Sequence, residues 1–174
     1  KKNTYNISES NLIVLTASRI TKVKGLNYLL RAIADIKGKT KVLFNYVMIG
    51  DGPDINKLKQ MAAELKILDF VSFLGYQNNI DSWLKTADIF VLPSLYEYHS
   101  IALLEAMRSG VAIISTDVGG NVESVRNQKE GLVIQSKNVK ELSIALIKML
   151  ENSTLRTQYG KAAKERFENN FTEQ

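Results

Sequence analysis

The chain has 174 residues, 23 of them basic and 18 acidic for a formal charge of +5, with 45% hydrophobic residues, one histidine and no cysteine. This length makes one domain that buries roughly 70% of its unfolded surface. Without cysteine there is no disulfide framework or thiolate metal site, and a single histidine argues against an imidazole one. No apolar run approaches the ~18 residues of a membrane span. Basic residues occur in runs of at most two, spread along helices beside glutamates, which describes a solvated basic surface and not a nucleic-acid face.

In chain order, Leu12-Ile13-Val14-Leu15 predicts a first strand within residues 11–18. A loop, Arg19 to Gly25, leads to a helix over about 26–37 with apolar residues at Leu26, Leu29, Leu30, Ile33 and Ile36. A second strand over 42–49 ends at Gly50-Asp51-Gly52-Pro53. Pro53 suits the first turn of a helix continued by Ile55, Leu58, Met61, Ala62 and Leu65. The glycine turn is not a dinucleotide fingerprint: the G-x-G-x-x-G pattern needs glycine at position 55, which is Ile55. Phe70 to Leu74 reads as a third strand, Ile80 to Thr86 as a short helix and Asp88 to Leu92 as a fourth strand.

A helix from Ile101 to Ser109 follows, then a fifth strand at Val111 to Ile114, a Gly119-Gly120 loop and a short helix to about Arg126. Gly131 to Ile134 is a sixth strand, and Val139 to Leu150 and Leu155 to Phe167 are helical by periodicity. No internal repeat, low-complexity stretch or linker interrupts the pattern. Strict strand–helix alternation predicts an α/β fold, a doubly wound parallel sheet of about six strands covered on both faces. In the usual order the first and fourth strands are neighbours at the switch point. The loops at 19–25 and 93–100 would then meet over one crevice.

The segment Leu92 to Met107 is the chemical centre. A helix opening at Ile101 presents unpaired N–H groups and a partial positive charge to an anion, with Ser100 and Ile101 supplying backbone donors. Two carboxylates flank it, Glu97 in the turn and Glu105 about 7 Å down the helix axis at ~1.5 Å per residue. Phosphate oxygens and sugar hydroxyls together match this donor and acceptor set. Arg19 and Lys24 add two cations in the loop after the first strand, read alone as solvated loop charges but able to meet phosphate oxygens, Arg as a bidentate clasp and Lys as a point charge. Glu97 and Glu105 also admit a general acid/base reading.

Pro93-Ser94, Glu97 and Glu105-Ala106-Met107 resemble the E-x(7)-E signature of the retaining, GT-B-fold glycosyltransferases of the group 1 family. Arg19 with Lys24-Gly25 resembles the family's R…KG element, Gly50-Asp51-Gly52-Pro53 its GDGP turn, Phe73-Leu74-Gly75 its FLG strand end and Gly119-Gly120-Asn121-Val122-Glu123 its GGxxE loop. What is present resembles the C-terminal, donor-binding half only, so residues 1–174 read as a single nucleotide-sugar-binding domain. The chain begins Lys1-Lys2-Asn3, as expected of a piece of a longer protein whose N-terminal acceptor domain is absent.

The resemblance implies a Rossmann-like half of a GT-B enzyme that moves a sugar from a nucleoside diphosphate to an acceptor hydroxyl with retention, in glycan or surface polysaccharide biosynthesis. It implies catalytic roles for Arg19, Lys24 and Glu97, with Glu97 on the donor sugar and Glu105 on the ribose. Donor contacts are implied for Gly25, Gly75, Tyr76, Ser100 and Ile101. No metal and no cofactor is required, the sugar nucleotide being a substrate, and no Asp-x-Asp is present to hold a metal. The expected partners are that donor and a glycan or lipid-linked glycan acceptor. Nucleic acid is not expected, and membrane association is at most peripheral. The location implied is cytoplasmic, at the inner face of the membrane for the full-length enzyme. Tyr98 and His99 depart from the family's usual glycine and phenylalanine, and Arg108 from its small residue; Arg108 reads as surface. The alternatives are a GT-B epimerase, a phosphorylase-like enzyme or a non-catalytic nucleotide-binding module. The tail through Phe167 and Phe171 resembles the segment that crosses toward the N-terminal domain, and in isolation it should fray or bury its rings on a neighbour.

Overall fold

A computed structural model describes residues 7–8 and 10–172 of the chain. Strands and helices alternate: β1 (Leu12–Ala17), α1 (Leu26–Ile36), β2 (Phe44–Ile49), α2 (Ile55–Glu64), β3 (Val71–Gly75), α3 (Ile80–Thr86), β4 (Ile89–Leu92), α4 (Ile101–Ser109), β5 (Ala112–Thr116), α5 (Asn121–Ser124), β6 (Gly131–Ile134), α6 (Val139–Glu151) and α7 (Ser153–Asn170). Short 3-10 turns fall at Lys22–Lys24 and Leu68–Phe70. The six strands form one parallel sheet in the order β3-β2-β1-β4-β5-β6. The chain winds outward from β1 to β3 and reverses at β4, which pairs with β1 through Val14–Ile89 and Leu15–Phe90. This is the Rossmann-like doubly wound fold, with its switch point where the loops at 19–25 and 93–100 begin.

Side-chain alternation along each strand divides the interior into two cores. Val14, Tyr46, Met48, Ile89 and Val91 face α1, α2 and α6. Ile13, Leu15, Val47, Phe90 and Leu92 face α3, α4 and part of α7. Helix α1 shows why the pattern works: Leu29, Leu30 and Ile33 are completely buried, each contributing about 1.5–3 kcal/mol by leaving water. Asp88 ties the two halves together by accepting the Ile13 N–H at 2.8 Å.

The boundaries differ from expectation in several places; β5, for one, starts a residue later and runs on to Thr116. Strand β2 starts at Phe44, because Leu43 gives only its carbonyl to the Leu12 N–H and leaves its side chain two-thirds exposed. Pro53 lies in the turn before α2 and not in its first turn. The Asp54 N–H goes back to the Ile20 carbonyl at 3.3 Å, and the helix begins at Ile55. Helix α7 is longer at both ends. Asn152 caps it by accepting from the Leu155 N–H at 2.9 Å, and Phe167 and Phe171 pack on the second core. Among the described residues, no helix is long and apolar enough to cross a membrane.

Candidate functional site at the carboxyl edge of the sheet

Loops leaving the strand ends are stitched to one another in the order of the strands. Gly50 N–H donates to the Gly75 carbonyl at 2.8 Å and Ile20 N–H to that of Asp51 at 2.8 Å, joining the loops after β3, β2 and β1. Leu95 N–H donates to Val23 at 2.7 Å and Gly120 N–H to Tyr98 at 2.8 Å, joining those after β1, β4 and β5. The approach is close enough to require glycine: a β-carbon on Gly25 would lie 2.0 Å from the Pro93 carbonyl oxygen. The Gly25 N–H is taken by the Lys22 carbonyl at 3.2 Å, so this residue closes the two loops and caps α1.

That closure brings Lys24 onto Glu97 across 73 residues of chain. Lys24 Nζ donates to Glu97 Oε1 at 2.5 Å, with the lysine side chain 21% exposed and the glutamate 9%. Ser94 Oγ donates to the same oxygen at 2.7 Å. Ser94 is itself held, its carbonyl accepting from Thr116 Oγ1 at 2.6 Å. Both protein donors therefore converge on Oε1, and Oε2 has no protein partner among the described residues.

The same edge of the sheet carries an open cleft of about 600 Å³, whose lining includes neither Lys24 nor Glu97. Arg19 and Asp51 line it from the loops after β1 and β2, Tyr76 from the loop after β3, and Glu105 and Arg108 from α4. Arg19 is exposed and makes no side-chain ion pair or hydrogen bond among the described residues. Tyr76 is 76% exposed and projects beyond Gly75, which turns the chain with φ of 65°. Arg108, read from the sequence as surface, lines the cleft and donates to Asp81 Oδ1 at 2.6 Å. The signal for it was present: position 108 lies three beyond Glu105 and therefore on the same helical face.

Helix α4 joins the two parts. Ser100 is its N-cap, buried, with Oγ accepting from Leu103 N–H at 3.3 Å. The N–H groups of Ile101 and Ala102 head the helix without intrahelical acceptors, while the Ile101 side chain is 73% exposed. Tyr98 and His99 lie in the exposed turn before it. Tyr98 makes an edge-on contact with Tyr96, ring centroids 5.2 Å apart. His99 Nε2 stands 3.7 Å from Glu123 Oε2 in α5, the short helix after Gly119-Gly120. Among the described residues no group of three or more metal-ligating side chains is gathered.

The architecture is thus a Rossmann-like α/β domain with Arg19, Lys24, Glu97 and Glu105 at the carboxyl edge of the sheet, on the segments that follow β1 and β4. The model of the family described as glycosyl transferases group 1 matches residues 1–166, and the chain belongs to that family. It is 34% identical over 164 residues to the N-acetyl-alpha-D-glucosaminyl L-malate synthase of Bacillus anthracis, a match covering 94% of this chain and 42% of that protein. Its fold superposes with a TM-score of 0.89 on Anabaena HepE in complex with UDP-glucose, at 21% identity over 98% of this chain and 47% of that one. It also matches the C-terminal domain of the group 1 glycosyl transferase LpcC from Francisella tularensis, at a TM-score of 0.82 and 23% identity, covering 94% of this chain and 87% of that domain. The chain spans less than half the length of the curated relative it matches.

Proposed function

We propose that this chain is the donor-binding domain of a retaining glycosyltransferase, which takes a sugar from a nucleoside diphosphate carrier and delivers it to an acceptor hydroxyl. The observation that carries the reading is the Lys24–Glu97 pair at the same sheet edge as a cleft lined by Arg19 and Glu105. The family's transfer chemistry and the UDP-glucose bound by a protein of the same fold support it.

In this reading the diphosphate lies between Arg19, Lys24 and the N–H groups that open α4. The carboxylate of Glu105 accepts from the ribose hydroxyls. The free Oε2 of Glu97 accepts from a hydroxyl of the donor sugar while Oε1 stays with Lys24 and Ser94. As the bond between the anomeric carbon and the diphosphate oxygen breaks, negative charge grows on the leaving group. Arg19, Lys24 and the helix opening stabilise it there. The acceptor oxygen bonds to the anomeric carbon on the face the diphosphate leaves, and its proton passes to the departing phosphate. No step calls for a metal or a cofactor.

Relatives are longer than this chain, and water exclusion and acceptor positioning need a second wall. The chain on its own therefore binds nucleoside diphosphates without transferring sugar. Calorimetry against a panel of nucleoside diphosphates and their sugars tests the reading. Binding that is lost in Arg19→Ala and Glu105→Ala supports it, and the absence of binding by every member of the panel overturns it. Transfer to an acceptor by a longer form that contains this domain separates the enzyme from a binding module or an epimerase.

A further inference from the structure

A second cavity, of about 210 Å³, opens between the Lys22–Lys24 turn, α1 and α2, and shares no lining residue with the cleft. Its floor is apolar, formed by Leu26, Leu58 and Met61. Three cations surround it from three different elements: Lys22 from the turn, Arg31 from α1 and Lys57 from α2. None of the three makes a side-chain hydrogen bond or ion pair among the described residues. Asp54 is the one carboxylate in the lining. Unpaired like charges around an apolar recess repel one another and focus a positive potential into it. A ligand that relieves this carries a negative group for the rim and a short apolar portion for the floor.

We propose that this cavity binds a phosphate monoester with a short apolar substituent, the chemistry shared by a small phosphorylated metabolite and a lipid phosphate headgroup. The proposal does not rest on the donor cleft. Its occupant would touch the turn that carries Lys24, and Leu95, which also lines the cavity, is bonded through its N–H to Val23 in that turn. Occupancy is therefore placed to bear on the Lys24–Glu97 pair.

The probe is butyl phosphate, titrated into this chain by calorimetry and by amide shift mapping, with inorganic phosphate and butanol as controls and with and without excess UDP. Expected are binding stronger than that of inorganic phosphate, none for butanol, shifts centred on Lys22, Arg31 and Lys57, and persistence in the presence of UDP. The double variant Arg31→Gln, Lys57→Gln, both exposed positions, should bind about tenfold more weakly or worse, the scale of losing charged hydrogen bonds, with its melting temperature unchanged. Co-sedimentation with vesicles containing phosphatidic acid, lost in the same variant, assigns the lipid source; butyl phosphate binding without sedimentation assigns the soluble ester. Absence of butyl phosphate binding at millimolar concentration, shifts confined to the Arg19–Glu105 cleft, or equal binding by the double variant would each overturn the proposal.

Discussion

Gly119 is pressed against the carbonyl of Glu97: a β-carbon at position 119 would lie 1.7 Å from that oxygen, on a backbone with φ of 47°. The Gly119-Gly120 loop therefore acts on the site through the backbone of Glu97. The next contact, Gly120 N–H to Tyr98 carbonyl at 2.8 Å, extends the same seam.

Gly119→Ala should displace Glu97, and Gly38→Ala is its control. Gly38 also has positive φ, at 80°, but no atom stands within 4 Å of the position its β-carbon would take. Both variants carry the strain of a left-handed residue, about 1–2 kcal/mol. Only Gly119→Ala should weaken a nucleotide sugar. Melting curves and calorimetry on the pair decide it; unchanged nucleotide-sugar binding by Gly119→Ala would show that the loop does not position Glu97.

The buried carboxylate of Glu130 sets a pH dependence. Burial pushes this carboxyl up, and the guanidinium and backbone N–H of Arg126, with the nearby Arg166 charge, more than offset it, leaving Glu130 below the ordinary range. A depressed native pKa stabilises the fold above the unfolded value near ~4.3, and that stability is lost as pH falls through the native value. Glu130→Gln should cost about 1–3 kcal/mol at neutral pH. The deficit should shrink once acid has protonated the wild-type carboxyl. Urea unfolding of both proteins at neutral and acidic pH reads this directly, and a deficit that holds constant with pH would remove Glu130 from the account.

At the carboxyl terminus, the tail docks on its own domain. Arg166 donates to the carbonyls of Ser124 at 2.9 Å and Glu123 at 2.8 Å, and its guanidinium lies 5.9 Å from the Phe171 ring centroid. Phe167 and Phe171 stack at 6.4 Å. The Phe171 amide, donated to the Phe167 carbonyl at 2.9 Å, should exchange slowly. Phe171→Ala should speed exchange through the last turn of α7 at a stability cost of about 1–2 kcal/mol for a partly buried ring. Exchange of the Phe171 amide at the rate of an unstructured peptide would contradict the docking.

Much of this architecture was legible because the strands are buried on both faces and read as short apolar runs bounded by glycine and proline turns. Phe44 to Ile49, followed by Gly50, and Ile89 to Leu92, followed by Pro93, are of this kind. The switch point was expected from the usual doubly wound order, and β1 pairs with β4 as that order requires. What stayed hidden depends on contacts between distant segments. Nothing local to Lys24 says that its ammonium ends on Glu97, and nothing local to Arg166 says that it holds the end of α5. Helix α7 was underestimated because its apolar positions, Tyr159, Ala163 and Phe167 among them, are sparse among polar and charged ones. Arg108 is exposed as expected, and its place in the cleft lining could not be read from exposure alone.

The two glutamates should separate by ligand. Glu105 lines the cleft with Arg19, so Glu105→Ala should weaken a nucleoside diphosphate and its sugar-bearing form alike. Glu97 offers only Oε2 beyond the protein, its other oxygen being held by Lys24 and Ser94. Glu97→Ala should therefore weaken the sugar-bearing ligand and leave the bare diphosphate unchanged or slightly tighter, since Lys24 is released to the phosphates. Each loss should be about tenfold or more, the range of one hydrogen bond to a charged group. Glu97→Gln serves as the isosteric variant: it keeps an acceptor for Ser94 but removes the charge paired with Lys24. A hydrolase-type acid/base pair predicts small binding losses for both glutamates, and a structural role predicts lower melting temperature without discrimination between ligands. Equal weakening of both ligands by Glu97→Ala would sink the assignment of Glu97 to the sugar.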